Sequence, residues 1–367
     1  MNDPIATLEW LLEAQPGIPS LQEMPRRTLE DKGIAGPTAA HVIEEIHTPL
    51  NLALVTFTTG SSAFQNIVGV THDELALRTA AGKRALAACG VTAGQQVLVT
   101  YAPLVNVFTR QALDESGLRW SFLSRSCRDA LLIALCRQPP DAVVGESSFL
   151  RATLEQALKM GLEHRLAKKL TLITAGTPLD EALVPLAASL GYALHDMYGC
   201  QEFGWLTLDG IPLREDISLV PAPQGGDWRE AIVGGLPTGD SFPVAAGGHL
   251  CNPQGKIQTW KRQRTTPEYD MVVMATTARH REIVERTART ILRIKGRVCH
   301  VSTQLITEAT ATHIRLWPKA VPGECTAGVA PIDIIGPPAT AQFDALLQSQ
   351  RDLQRQAKND PAWCKAR

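Results

Sequence analysis

Apolar and polar positions along this chain alternate between two rhythms. Short apolar runs rich in β-branched residues, LNLALVTF at 50–57, QQVLVTYAP at 95–103, DAVVGE at 141–146 and LTLITAG at 170–176, read as buried strands. Between and after them, THDELALRTAAGKRALAACG at 71–90, CRDALLIALCRQ at 127–138, SFLRATLEQALKMG at 148–161 and LDEALVPLAASLG at 179–191 repeat apolar residues at helical spacing. Thr71 with Glu74 three residues on is a helix-start signature; Gly90, and Pro139 with Pro140, are stop signals. A first helix is expected over 5–14, broken by the two prolines of IPSLQEMP. Strands alternating with helices through short connections predict an α/β fold with a largely parallel sheet packed by helices.

In such a sheet, ligands gather at the carboxyl ends of the strands. Three polar, glycine-bearing segments are expected there: TFTTGSSAFQNIVG at 56–69, ITAGTPL at 173–179 and MYGCQEFG at 197–204. In the first, Thr58, Thr59, Ser61 and Ser62 surround Gly60, a composition suited to wrapping an anion with amides and hydroxyls. It is equally the composition of an ordinary turn, and G-x-x-x-x-G-K-[ST] is absent. Glu202 is a carboxylate able to hold Mg²⁺ bridging phosphate oxygens, or a solvated surface residue. Asp240, after the PTG turn, can accept both hydroxyls of a ribose.

Composition narrows the class without naming a reaction. Of 367 residues, 44% are hydrophobic and 20% charged, as in a globular enzyme, and a net charge of −1 favours neither nucleic acid nor an anionic membrane. The eight cysteines show no C-x-x-C and no zinc spacing, so a reduced, cytoplasmic chain is expected. No apolar run has the length of a bilayer span, and the start MNDPIATLEWLLEA shows neither a basic leader nor a small-residue cleavage site, so no secretory leader is expected.

Taken in order, the motifs resemble the adenylate-forming (ANL) superfamily of acyl-CoA synthetases, most closely its phenylacetate–CoA ligase branch. TTGSSAFQ followed by VGVT is similar to that family's phosphate loop, VLVTYAPLVNVFT at 97–109 to its pocket segment, and PPDAVVGESS at 139–148 to a further family element. AGTPL at 175–179, YGCQE at 198–202, Thr238-Gly239-Asp240 and ILRIKGRVCHVSTQLI at 291–306 complete the series. The resemblance implies an N-terminal adenylation domain over 1–300. It implies Thr58, Thr59, Gly60, Ser61 and Ser62 on ATP phosphates, and Glu202 as the catalytic Mg²⁺ ligand. Ala175, Gly176, Thr177, Tyr198 and Gly199 would flank the nucleotide base, and Asp240 would hold the ribose. Tyr101, Val105 and Phe108 would line the pocket of an aromatic carboxylate. The reaction is attack of the carboxylate on the α-phosphate with loss of pyrophosphate, which positioning and charge stabilisation accelerate.

The chain departs from the family pattern in two places. Ala63 and Phe64 replace the loop's second glycine and lysine, removing a charge-assisted hydrogen bond of roughly 1.5–3 kcal/mol. Residues 301–367 are too few for the family's terminal domain, and PKAVPGE at 318–324 carries Glu324 where its lysine belongs. A remnant domain and tail helix are expected instead, with the acyl group passed to a partner reductase or acyl acceptor protein. Shortened members of phenazine antibiotic biosynthesis make phenazine-1,6-dicarboxylate one candidate substrate. The alternatives are a nucleotide-independent binding protein for a carboxylated aromatic and an acid–CoA ligase with a divergent terminal domain. Outside these motifs, the basic segment 261–297 reads as a solvated face or a docking surface. His195 is a structural or substrate-facing histidine, and Cys364 a bystander or an acyl acceptor.

Overall fold

The computed structural model describes residues 3–14, 52–57, 67–100, 110–222, 226, 228–243, 263–264, 269–295, 299–318, 330–336, 343–344, 347–348 and 351–352. The elements begin α1 (Pro4–Glu13), β1 (Leu52–Phe57), β2 (Ile67–Thr71), α2 (His72–Ala88), β3 (Gln96–Val99), α3 (Arg110–Glu115), β4 (Arg119–Phe122) and α4 (Arg128–Arg137). They continue with β5 (Ala142–Gly145), α5 (Ser147–Lys159), β6 (Thr171–Thr174), α6 (Leu183–Ser189), β7 (Ala193–Cys200), β8 (Gly204–Leu208) and β9 (Ile211–Pro212). The remainder is β10 (Ile217–Pro221), β11 (Trp228–Val233), β12 (Leu236–Pro243), β13 (Gln263–Arg264), β14 (Tyr269–Ala275), α7 (Arg281–Lys295), β15 (Cys299–Ile306), β16 (His313–Pro318) and β17 (Ile332–Ile335). None of the described helices is long and apolar enough to cross a membrane.

The described residues fall into two compact units. The first takes those within 1–36, 78–200 and 204–213; the second takes those within 37–77, 201–203 and 214–367. The first is built on a seven-stranded sheet in the order β4-β3-β5-β6-β7-β8-β9. Strands β4, β3, β5, β6 and β7 are parallel, while β8 and β9 close one edge antiparallel. The α/β class with a parallel sheet, expected from the alternating rhythms, is the architecture found. Central strands such as β5 bury every residue, because helices cover both faces. One apolar cluster gathers Leu131, Leu135, Val143, Leu150, Leu154, Leu172 and Leu183; the other gathers Ala85, Leu86, Val97, Val144, Ile173, Met197 and Trp205. Each such leucine contributes on the order of 1.5–3 kcal/mol by leaving water.

Helix starts follow local chemistry. Thr71 Oγ1 accepts the Glu74 backbone N–H at 3.2 Å, as the sequence predicts. The helix expected over 179–191 begins later, at Leu183, because Asp180 Oδ1 takes the Ala182 N–H at 3.1 Å in a local turn.

The second unit holds three sheets: the β1-β2 pair, a four-stranded antiparallel sheet β10-β11-β12-β13, and a mixed sheet β15-β14-β16-β17. Strand 50–57 therefore does not join the parallel sheet, contrary to expectation: β1 pairs antiparallel with β2. The expected place of the polar stretch, at the carboxyl end of a parallel strand, therefore fails at β1 itself, which is antiparallel to the next strand in sequence; residues 58–66 lie outside the described residues. Helix α7 connects the parallel strands β14 and β15 and buries Ile283, Val284 and Ala288. A boundary at residue 300 falls inside β15, which is paired to β14 at Val272↔His300.

Candidate active site

At the carboxyl edge of the parallel sheet, the ends of β5, β6 and β7 lie side by side. Thr174 is in register with Gly145 on one side and Asp196 on the other, so 175–177 leaves the sheet beside the last residues of β7. Ala175 N–H donates to Gly145 O at 2.9 Å, holding the start of the turn. Gly176 has φ +88°, a left-handed conformation that a side chain disfavours. The next residue, Thr177, carries a buried Oγ1 with no hydrogen-bond partner among the described residues. A buried hydroxyl without a hydrogen bond costs about 1–3 kcal/mol, so this atom is suited to a ligand group that supplies one.

The turn is held from behind by residues that motif reading did not assign a role. Ser147 Oγ donates to Pro178 O at 3.0 Å and accepts from Asp180 N–H at 2.9 Å. Arg151 on α5 pairs with Asp180 at 2.6 Å and holds that carboxyl below the usual carboxylate range. Ser147 lies within PPDAVVGESS, but its task depends on a contact with a loop 31 residues away.

Strand β7 runs further than expected. The segment 197–204 is predicted as a strand-to-helix turn, yet β7 continues through Cys200 and folds back antiparallel on β8, leaving only 201–203 as a turn. The correction has a steric origin at Gly199. A Cβ there would lie 2.5 Å from Gly204 O, 2.7 Å from Trp205 Cε3 and 3.0 Å from Trp205 Cα. Glycine lets the two backbones close into a tight hairpin. Tyr198, 2% exposed, is fixed beside it opposite Thr207. Ala175, Gly176, Thr177, Tyr198 and Gly199 thus belong to neighbouring strand ends of one sheet.

The remaining predicted residues fall elsewhere. Glu202, in the three-residue turn, and Asp240, on β12, belong to the second unit. Asp240 is 7% exposed, and its backbone N–H donates to Thr238 Oγ1 at 3.1 Å. Thr238 Oγ1 donates in turn to Ala231 O at 3.0 Å, while Gly239 N–H donates to Glu230 Oε1 at 3.1 Å. PTGD, expected as a turn followed by an acid, is instead part of β12 at a register shift against β11, and its hydrogen bonds fix the backbone that carries Asp240. Thr58, Thr59, Gly60, Ser61, Ser62, Tyr101, Val105 and Phe108 lie outside the described residues, as do Cys364 and most of PKAVPGE.

His195 takes its structural reading: Nδ1 meets Asp209 Oδ2 at 2.8 Å, while Asp209 Oδ1 accepts the Asp196 N–H at 2.8 Å. In the basic segment, Arg281 bonds Glu285 at 2.8 Å and reaches the carbonyls of Ser302 and Thr303, as a solvated helix face does.

Residues 209–354 match the MadH C-terminal domain family. A protein of Malonomonas rubra named ACP-SH:acetate ligase is 51% identical over 368 residues, covering 100% of both chains. Among solved structures, a 2-hydroxyisobutyryl-CoA ligase in its postadenylation state aligns at 12% identity and a TM-score of 0.45, over 82% of this chain and 77% of that one. ATP-bound MatB from Rhodopseudomonas palustris aligns at 17% identity and a TM-score of 0.43, over 59% of this chain and about half of MatB (49%). The fold and the full-length identity define a ligase-type α/β enzyme. The chain belongs to the family of the ACP-SH:acetate ligase.

Proposed function

We propose that this enzyme joins a short carboxylic acid, acetate, to the thiol of an acyl carrier protein, at the expense of ATP and by way of an acyl-adenylate. The observation that carries the reading is 51% identity across the whole of both chains to a ligase named for that acid and acceptor. The buried Thr177 hydroxyl at the sheet edge, without a partner among the described residues and beside the left-handed Gly176, supports a nucleotide at that edge.

Two steps balance the reaction. A carboxylate oxygen of acetate attacks the α-phosphorus of ATP, and pyrophosphate leaves. The carrier's thiol sulfur then attacks the acyl carbon; AMP departs with the attacking oxygen, and the thiol proton passes to solvent. Carboxylic acids of this kind have pKa values of roughly 4–5, so acetate is ionised at neutral pH and the first step needs no general base. In this reading Thr58–Ser62 hold the phosphates, Ala175–Thr177 and Tyr198 the base, and Asp240 the ribose. Mg²⁺ is commonly held by one or two carboxylates together with phosphate oxygens, and Glu202 supplies such a ligand. The metal would neutralise charge on the departing pyrophosphate.

The aromatic reading is retained as an arm of the test. Purified enzyme is given ATP, Mg²⁺ and either acetate, propionate or phenazine-1,6-dicarboxylate, and pyrophosphate release is followed. Thioester is then assayed on an acyl carrier protein and on free coenzyme A. The proposal expects acetate-dependent pyrophosphate and an acetylated carrier protein. Turnover with the phenazine acid but not acetate would replace the substrate, thioester on coenzyme A alone would replace the acceptor, and no turnover with any acid would overturn the reading.

A further inference from the structure

The turn that leaves β6 stands on two feet, and both rest on the junction between β5 and α5. Its first residue, Ala175, donates its N–H to Gly145 O at 2.9 Å. Its far end is held two residues further along that junction, where the Ser147 hydroxyl donates to Pro178 O at 3.0 Å and accepts the Asp180 N–H at 2.9 Å. Ala175 and Leu179 are buried at the two feet, while Gly176 and Pro178 between them are exposed. Gly176 and Thr177 therefore form a short arch above the sheet edge, open to a ligand and fixed at both ends.

A single face of α5 supplies the second foot. Ser147 opens that helix, and Arg151 and Glu155 follow at intervals of one turn. Arg151 Nε donates to Asp180 Oδ2 at 2.6 Å, and its Nη1 donates to Glu155 Oε1 at 2.6 Å, which steers the guanidinium toward the loop. Asp180 is thus gripped twice, by Ser147 through its backbone and by Arg151 through its carboxylate. We infer that Ser147, backed by Arg151, is a positioning residue that sets the arch at the height where Gly176 and Thr177 meet the nucleotide base. The inference rests on the reading of 175–177 as the turn that holds the base.

A hydroxyl suits this place because one atom must donate to a carbonyl and accept from an amide at once, which neither alanine nor an ammonium can do. Stability of the fold does not account for it. Helix α5 is anchored by Leu150, Leu154 and Ala157, all buried in the apolar cluster of the sheet's other leucines, whereas Ser147, 1% exposed, spends both of its hydrogen bonds on the loop.

The test is steady-state, acetate-dependent pyrophosphate release, with melting curves on the same full-length samples. Tripolyphosphate, which carries phosphates but no base, serves as a competitor of ATP. Ser147→Ala is expected to raise the KM for ATP about tenfold or more, while the KM for acetate and the tripolyphosphate inhibition constant move less than about twofold. Arg151→Met loosens the same residue through its carboxylate and is expected to raise the KM for ATP in the same way; it also reads the coupling should Ser147→Ala not fold. An unchanged KM for ATP in either variant would overturn the inference. So would equal losses toward ATP, acetate and tripolyphosphate alongside a lowered melting temperature, which would reduce Ser147 to a structural role. Thr177→Val separates the premises. If it leaves the KM for ATP unchanged, the assignment of this turn to the base fails; if it raises that KM while Ser147→Ala does not, only the positioning role fails.

Discussion

Replacing Gly199 by alanine adds one methyl group where the β7–β8 hairpin has no room. The new Cβ would stand 2.5 Å from Gly204 O and 3.0 Å from Trp205 Cα, and these are backbone atoms that no rotamer change can move. It would also press on Trp205, itself 1% exposed in the apolar cluster with Met197 and Ile173. Overpacking of this kind costs about 1–3 kcal/mol, and each kcal/mol lowers the melting temperature of a domain of this size by about 2–4 °C. Relief of the clash requires the hairpin to spread, which displaces Tyr198 and the start of the Glu202 turn. A displacement near 1 Å of a positioning group costs up to about a hundredfold in rate.

The matching control is Gly191→Ala, at φ +72° with nothing within 4 Å of the added methyl, before the amino end of β7. Backbone strain there is worth about 1–2 kcal/mol, without any effect at the carboxyl edge. The assay is thermal unfolding together with acetate-dependent pyrophosphate release well below either melting temperature. Gly199→Ala should lose both stability and turnover, whereas Gly191→Ala should lose stability alone. Equal turnover in the two variants would refute the placement of the hairpin in the site, and an unchanged melting temperature in Gly199→Ala would refute the packing argument.

Further outcomes follow from the ion pairs and thiols. Arg214, 4% exposed, pairs with the buried Glu74 and the partly buried Asp216, each at 2.7 Å, so Arg214→Met should destabilise the second unit by about 3–5 kcal/mol in urea unfolding, most of it restored when Glu74 and Asp216 are also neutralised. Arg315 and His313 beside Asp333 hold its carboxyl down at about 2. Since its unfolded value is near ~3.9, the stabilisation from Asp333 is complete above that pH and lost as pH falls toward about 2; the stability gap between wild type and Asp333→Asn should close over that window. Burial, with Asp209 nearby for Cys89, pushes the thiols of Cys89 and Cys299 up to about 12. Both should resist alkylation in the native protein at pH 8 and react on unfolding, as read by mass spectrometry.

Much of the first unit is legible in sequence because its signals are local. Runs such as DAVVGE and the Thr71–Glu74 pair report strand burial and a helix start within a few residues of themselves. The exceptions are long-range. A polar stretch after LNLALVTF reads the same whether the strand enters a parallel sheet or a hairpin, and only its pairing with 67–71 decides. The same holds for MYGC, whose continuation as strand depends on a close approach between Gly199 and Trp205. Motif order singled out the turn 175–177, but the side chains that hold that turn, Ser147 and Arg151, are defined by contacts across 29 to 31 residues of chain. The carboxylate's identity was not legible, because YAPLVNVFT at 101–109, proposed to line the pocket and outside the described residues, has the same apolar and aromatic composition for a large or a small acid.

The central claim, that a carboxylate is activated on the α-phosphorus of ATP before transfer to a thiol, is tested most directly with heavy-oxygen-labelled acetate. The enzyme is supplied with that acetate, ATP, Mg²⁺ and a thiol-bearing acyl carrier protein, and the nucleotide and phosphate products are analysed by mass spectrometry. One labelled oxygen in AMP, formed in step with the acetylated carrier, is the predicted result. Label in inorganic phosphate with ADP as the nucleotide product, or carrier acetylation without label in AMP, would contradict it.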